Sequence, residues 1–307
     1  MKKIVVFGSS NMDMVVSVEQ MPKKGETIKS LAFDMIPGGK GANQACACGK
    51  LGGCCVFLSV VGADGNGTRL LQSLKSSGVD TGHMLVSKNA PTGMALITVD
   101  VTGENSIVVV PGANKECDFD YYCRVKSEIE SSDIVLAQLE TPESAVYKLL
   151  SDAHESGKTT ILNPAPAPTD LPDDLYASID FMTPNETELE ILTGCPTDTL
   201  ERISIAARRL IEKGAGNVIV TLGKMGALHI GRNVEELYPA FETTVIDTTA
   251  AGDTFNAALA VGLAEGMSIS NAIKFGNAAA ALSVSRKGTQ SSIPDREETD
   301  KFVFSGK

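Results

Sequence analysis

Tryptophan is absent, histidine occurs three times, and no basic cluster offsets an acidic balance of 38 Asp and Glu against 27 Lys and Arg. A net charge of −11 with no Lys/Arg stripe cannot neutralise a phosphodiester backbone, which argues against nucleic-acid binding. Long apolar runs are also missing. The opening stretch Ile4-Val5-Val6-Phe7 is too short for a secretory h-region, and nowhere do about eighteen apolar residues follow one another. A cytoplasmic protein without membrane partners is the expectation. The phosphate signatures Gly-x-x-x-x-Gly-Lys-Ser/Thr and Gly-x-Gly-x-x-Gly are lacking too, which argues against Walker-type NTPases and simple nicotinamide oxidoreductases.

Cysteine is present but poorly arranged for metal. Cys46, Cys48, Cys54 and Cys55 lie close in sequence with no histidine nearby. Residues two apart on a helix point to different faces, so four ligands would not converge. These thiols read as reduced, buried, small apolar groups.

A chain of 307 residues with 43% hydrophobic content can bury a large core. Short β-branched runs at Ile4–Phe7, Val56–Val60, Asp133–Leu139, Thr159–Leu162, Asp180–Met182 and Asn217–Leu222 predict strands. Helical patterns at Gly41–Lys50, Gly67–Ser76, Phe119–Glu130, Pro142–Ser156, Glu186–Leu192, Leu200–Lys213, Asp253–Glu265 and Ser268–Ser285 fall between or after them. Alternation of this kind predicts an α/β fold of βαβ units around a mostly parallel sheet, with ligands beyond the carboxyl ends of its strands. Segments near 14–18, 27–36, 93–101 and 106–110 break the alternation, the last two as a hairpin about Thr102-Gly103-Glu104-Asn105. They predict a small extra β-sheet, inserted into a single domain spanning 1–307, that could serve as a lid, a dimer surface or both.

Asp247-Thr248-Thr249-Ala250-Ala251-Gly252-Asp253-Thr254-Phe255 runs small residues into a helix start with a carboxylate at the junction. Free amides at a helix N-terminus attract anions, and small residues permit close approach. Asp253 there either complements the dipole or accepts a proton from an attacking hydroxyl. Pro37-Gly38-Gly39-Lys40-Gly41-Ala42-Asn43-Gln44 joins a glycine loop to a cation and two amides at another helix mouth. Asn11 and Asp13, following the first strand, suit neighbouring sugar hydroxyls, and Glu140 at the end of Asp133–Leu139 could face the same cleft. Gly223 and Gly226 after the strand at Asn217 would turn the backbone around a phosphate or ribose, or simply make a turn. Asn185 and Glu188 have the spacing of a capping box, and alternatively lie near phosphates and a hydrated Mg²⁺. The Asn163–Pro168 loop has no assigned chemistry.

These segments, with Arg286-Lys287-Gly288-Thr289-Gln290, occur in the order found in the ribokinase-like family of sugar and nucleoside kinases, which the chain resembles nearly end to end. The resemblance implies a three-layer α/β/α domain with a β lid and ATP-dependent transfer of the γ-phosphoryl group to the 5-hydroxyl of D-ribose. It implies sugar contacts at Asn11, Asp13, Gly39, Lys40, Asn43 and Glu140, Asp253 as general base, and an anion hole from Ala250, Ala251 and Gly252. It further implies an ATP site at Asn185, Thr221, Gly223, Gly226, Gly252 and Asn277, with Glu188 acting on Mg²⁺ through water. A potassium site, partly of backbone carbonyls, is implied near Asp247, Thr249, Ser283, Arg286, Gly288 and Ser292, as is a homodimer through the lid. Two positions depart from the family pattern: Asn277 stands where histidine is common, and Thr249 where an aliphatic residue is. The rival readings are a kinase of 2-deoxyribose, fructose or adenosine, and a non-catalytic sugar-binding regulator on the same fold.

Overall fold

The computed structural model describes residues 2–305. In chain order the elements are β1 (Lys3–Phe7), β2 (Asn11–Val18), β3 (Ala32–Gly38), α1 (Lys40–Lys50), β4 (Cys54–Leu58), β5 (Val60–Gly62), α2 (Gly65–Ser76), β6 (Leu85–Ser87), β7 (Gly93–Asp100) and β8 (Asn105–Val110). There follow α3 (Phe119–Glu130), β9 (Ile134–Ala137), α4 (Glu143–Glu155), β10 (Thr159–Leu162), β11 (Phe181–Met182), α5 (Glu186–Thr193), α6 (Leu200–Glu212) and β12 (Asn217–Thr221). The chain ends with β13 (Ala227–Gly231), β14 (Val234–Tyr238), α7 (Ala251–Ala264), α8 (Ile269–Val284) and α9 (Arg296–Ser305).

Eight strands form the main sheet in the order β14-β13-β12-β11-β10-β9-β1-β4. Its pairs are parallel from β4 through β12 and antiparallel at β12–β13–β14. The two-residue period of a strand splits each central strand between two cores. Val5 and Phe7 of β1, and Val135 and Ala137 of β9, pack with α3, α4 and α6 on one face. Ile4 and Val6, and Ile134 and Leu136, pack with α1, α2, α7 and α8 on the other. Strands buried on both faces need no polar alternation, so they read as continuous apolar runs. The outcome is the expected three-layer α/β/α arrangement.

The small sheet is four-stranded, in the order β3-β2-β7-β8. Strand β2 pairs antiparallel with β3 and parallel with β7, which forms the expected hairpin with β8. Here the structure corrects the sequence. Asn11 and Asp13 do not trail off the carboxyl edge of β1; they are the first and third residues of lid strand β2. The strand expected from Thr27 begins only at Ala32 and continues to Gly38. The run Val56–Val60 divides at Ser59, with β5 leaving the main sheet to pair with β6. Strand β9 stops at Ala137, so Glu140 sits in the turn beyond it rather than at its end. Cys46, Cys48 and Cys55 are buried in the core as expected, but Cys54 is exposed. Among the described residues, no helix is long and apolar enough to cross a membrane.

Candidate active site

The glycines of the Gly38–Gly41 loop set the geometry of the crevice. At Gly39, φ is +88°, and a Cβ would stand 2.7 Å from the Asn11 amide nitrogen. A Cβ on Gly41 would stand 2.6 Å from the Gly8 carbonyl carbon and the Ser9 nitrogen, and the Ala42 N–H bonds the Ser9 carbonyl at 2.9 Å. Helix α1 therefore starts directly against the β1–β2 connection, which only glycine permits at this distance. The same closeness starts α1, with Lys40, next to Asn11, while Gln44 lies buried behind Asp253.

Four carboxylates, Asp13, Glu140, Glu188 and Asp253, and the Lys40 ammonium feel one another there. Burial pushes the Asp13 carboxyl up to about 7, with further upward pressure from Glu140 and Asp253. No described residue hydrogen-bonds its side chain. Burial alone would lower Lys40, but Asp253, Glu140 and Glu188 together outweigh it and hold the ammonium above its ordinary value. Glu140 Oε2 accepts from Ser9 Oγ at 2.5 Å and from the Lys40 backbone N–H at 3.0 Å, which anchors it over the mouth of α1. The expected orientation of Glu140 toward the crevice thus survives its displacement from the strand.

Asp253 lies in the first turn of α7 and is 8% exposed. Its Oδ2 accepts from Asn43 Nδ2 and its Oδ1 from Gln44 Nε2, each at 3.0 Å. Burial raises its pKa; Lys40 and the two amides pull against that rise. A buried, hydrogen-bonded carboxylate close to an ammonium is much more than a dipole complement. Asn43, expected to meet a sugar, uses an amide hydrogen on this carboxylate.

The N-terminus of α7 is built for an anion. Ala250 is the one described non-glycine residue with positive φ, at 61°, and caps the helix in the left-handed region. Ala251 N–H reaches the Thr248 carbonyl at 3.3 Å and Thr254 N–H the Ala250 carbonyl at 2.9 Å. The amides of Gly252 and Asp253 have no acceptor among the described residues, and a Cβ on Gly252 would meet nothing within 4 Å. Of the three expected anion-hole residues, Gly252 carries the free donor and open space; Ala250 shapes the turn, and Ala251 is partly engaged.

On the side expected to face the nucleotide, Asn185 and Glu188 form a complete capping box at the start of α5, with bonds of 2.9 and 2.8 Å. Burial raises Glu188, against the Asn185 backbone bond and Lys40, and Asp253 adds to the rise. It is therefore part of the same electrostatic cluster as well as a cap. Thr221 bridges to Asn185. The two following glycines differ in role. Gly226, at φ +98°, would drive a Cβ to 2.0 Å from the Tyr238 carbonyl, whereas Gly223, at φ +53°, faces open space. Asn277 gives its amide hydrogens to the Tyr238 and Pro239 carbonyls at 3.0 and 3.1 Å, binding α8 to the end of β14.

Asp247 ties together the two loops expected around a monovalent cation. Its Oδ1 accepts from the Thr249 N–H and hydroxyl, and its Oδ2 from Gly288 N–H at 2.9 Å. Ser283 and Ser292 hydroxyls bond local carbonyls, and the Arg286 guanidinium pairs with Glu298. Arg286 can thus offer such a site only its backbone oxygen.

Sequence reasoning missed four residues here. Asn114 fixes Asn11, with its Nδ2 2.7 Å from Asn11 Oδ1. Gln44, Gln138 and Asn163 form a buried amide chain behind Asp253. Gln44 lay within the Pro37–Gln44 motif and Asn163 opened a loop with no assigned chemistry, whereas Asn114 and Gln138 had no local pattern to mark them.

A covered α/β/α crevice with a free-amide helix start and a buried carboxylate at its floor is the architecture of a phosphotransferase acting on a small hydroxylated molecule. The chain belongs to the pfkB family of carbohydrate kinases, whose model matches residues 1–296. It is 42% identical to the ribokinase of Haemophilus influenzae, covering 98% of each chain. It is 38% identical to the deoxyribokinase of Salmonella typhi, again over 98% of each. The solved structure of Arabidopsis thaliana ribokinase complexed with ribose and ATP superposes with a TM-score of 0.90, at 36% identity and 98% coverage of each chain.

Proposed function

We propose that this chain is an ATP-dependent ribokinase that transfers the γ-phosphoryl group to the 5-hydroxyl of D-ribose. The observation that carries the reading is Asp253: a buried carboxylate, held open at both oxygens by amide donors, one residue past the unengaged Gly252 amide. Asp253 accepts the hydroxyl proton as the oxygen attacks, and the amides at the start of α7 meet the charge on the transferring group. Lys40 opposes the rise that burial imposes on Asp253 and balances the acidic cluster. Asn11, Asp13, Gly39, Lys40, Asn43 and Glu140 form the sugar side, with Asn43 acting also through Asp253. Asn185, Thr221, Gly223, Gly226, Gly252 and Asn277 border the nucleotide, Gly226 and Asn277 by holding the backbone that shapes it.

ATP-dependent transfer in this family implies a divalent metal. One Glu188 oxygen is taken by the Asn185 N–H and the other has no described partner, so the residue fits a role toward hydrated Mg²⁺. Bound with ATP, Mg²⁺ would neutralise phosphate charge. The Asp247–Thr249 loop and the segment carrying Ser283, Arg286, Gly288 and Ser292 are proposed to hold K⁺. The chain acts as one domain in the cytoplasm and dimerises through its lid. Leu96 and Val108 are cross-strand partners on the face opposite Asp13, and with Phe33 they leave apolar surface exposed there.

The similarity to a deoxyribokinase gives 2-deoxyribose a specific claim as a second substrate. A coupled ADP assay across ribose, 2-deoxyribose, fructose and adenosine, with and without potassium, tests the assignment. Ribose is expected to give the highest kcat/KM. Comparable efficiency on 2-deoxyribose overturns the ribose preference, and no ADP release with any sugar overturns the enzyme.

A further inference from the structure

Behind the proposed base lies a chain of buried amides that the reaction as described does not use. Gln44 and Gln138 are 0% exposed, and Asn163 is 7% exposed. Gln44 spends both amide hydrogens, one on Asp253 Oδ1 at 3.0 Å and one on Asn163 Oδ1 at 3.1 Å. Its own oxygen accepts from Gln138 Nε2 at 2.6 Å. Asn163 is turned in its place by donating Nδ2 to the Thr183 carbonyl at 3.2 Å.

The polarity of this chain has one consistent solution. Reversing the Gln44 amide would set its oxygen against a carboxylate oxygen and an amide oxygen, and its nitrogen against the Gln138 nitrogen. Each of these is a repulsive buried contact. Gln138 meanwhile keeps its Oε1 without any partner, although it is sealed from solvent. Gly8 makes room for that atom, since a Cβ there would come within 2.0 Å of it. A buried acceptor left unpaired is unfavourable, and here it accompanies an arrangement in which the Gln138 nitrogen is committed to Gln44.

We infer that Gln44 is a positioning residue that holds Asp253 ionised and aimed, and that Gln138 locks Gln44 in the donating orientation. This deepens the kinase reading and rests on Asp253 being its base. With Asn43 on Oδ2 and Gln44 on Oδ1, each carboxylate oxygen receives one N–H and keeps a lone pair for an incoming hydroxyl proton. The charged groups facing Asp253 are Lys40 from α1, Glu140 from the turn after β9, Asp13 from β2 and Glu188 from α5. Only Lys40 among them favours the ionised form, so the two amides supply much of what opposes burial.

The test is the pH dependence of kcat at saturating sugar and ATP, which reports the bound complex and suppresses the titration of Asp13 in the free enzyme. Gln44→Met is expected to move the acid limb upward by about one pH unit, the scale of one hydrogen bond to a charged group. On the acid limb kcat falls by up to about tenfold and recovers as pH rises, while the KM for ribose stays within about threefold. Gln138→Met, which leaves the Gln44 donor present but unlocked, moves the limb in the same direction by less. If Gln44→Met does not fold, Gln138→Met decides on the same criterion. An unmoved acid limb in the folded variants, with Asp253→Asn inactive, overturns this inference and leaves the base assignment standing. Turnover by Asp253→Asn overturns the reading beneath both.

Discussion

Asn114 Nδ2 donates to Asn11 Oδ1 at 2.7 Å, and this bond decides which end of the Asn11 amide remains free for the crevice. Asn114 is itself fixed, accepting from the Ser10 N–H at 2.8 Å and donating to the Ser10 carbonyl at 3.2 Å. Gly93 leaves space for the pair, because a Cβ there would stand 2.3 Å from each of the two bonded atoms. Asn11 is thereby left with a donor, one strand position pair away from Asp13, which is an acceptor when ionised. Neighbouring hydroxyls can satisfy both.

Releasing Asn11 should weaken sugar binding with little effect on the chemical step. Asn114→Ala is expected to raise the KM for ribose about tenfold while kcat changes less than about threefold, the value of one hydrogen bond. A steady-state series in ribose at saturating ATP measures both. A fall in kcat with unchanged KM would contradict this division of labour.

Asp13 should make ribose binding pH-dependent. Its carboxyl titrates near 7 in the free protein, and a carboxylate accepts sugar hydroxyls better than the acid does. Ribose affinity, measured by calorimetry without nucleotide, should therefore decline as pH falls from 8 to 6. Asp13→Asn should bind weakly and without that slope.

The same residue should lower stability. A folded-state pKa raised from 3.8 to about 7 gives stability that is present below pH 4 and lost as pH rises through 7. Asp13→Asn removes the loss, so the ligand-free variant should unfold at higher temperature than the parent at pH 8, by roughly 2–4 kcal/mol of stability. Equal melting temperatures at pH 8 would show the carboxylate to be unstrained.

Asp247→Ala should remove most of the proposed potassium stimulation of turnover while leaving ribose KM within about twofold, because it frees Gly288 and Thr249 without touching the proposed sugar contacts. Assays in potassium and in a large organic cation give the ratio. Undiminished stimulation would place the cation elsewhere.

Val108→Glu should dissociate the proposed lid dimer into monomers. Val108 is 58% exposed beside Leu96, so the charge is tolerated in a lone chain and repelled across a paired apolar face. Light scattering reads the outcome, and an unchanged dimer would relocate the interface.

Strands β1, β4 and β9–β12 of the main sheet were legible because they appear as plain apolar runs, whereas β13, although buried throughout, was not, since histidine and glycine interrupt Ala-Leu-His-Ile-Gly. Strand β14 was not: four of its five residues are exposed, and Val-Glu-Glu-Leu-Tyr offers no such run. The Gly39–Gln44 and Ala250–Asp253 segments announced themselves through small residues at helix starts, which local backbone chemistry demands. Asn114 and Gln138 left no trace of that kind. They act across 103 and 94 residues of chain, and a single amide carries no local pattern pointing to its distant partner. Asn11 and Asp13 were found as residues but misplaced by one element, since nothing in Gly8-Ser9-Ser10 marks the transfer from the main sheet to the lid.

That transfer has a consequence for how specificity can change. The proposed sugar contacts Asn11 and Asp13 ride on β2, one of the two inner lid strands, while Asp253 and its supporting amides belong to the body. Substitutions in the lid that keep the Asp13 carboxylate, which Asp253 feels, can retune which hydroxyls are welcomed without disturbing proton removal. Exchange of residues 11–38 and 93–114 between relatives should therefore carry substrate preference with it, as a transplantable cassette.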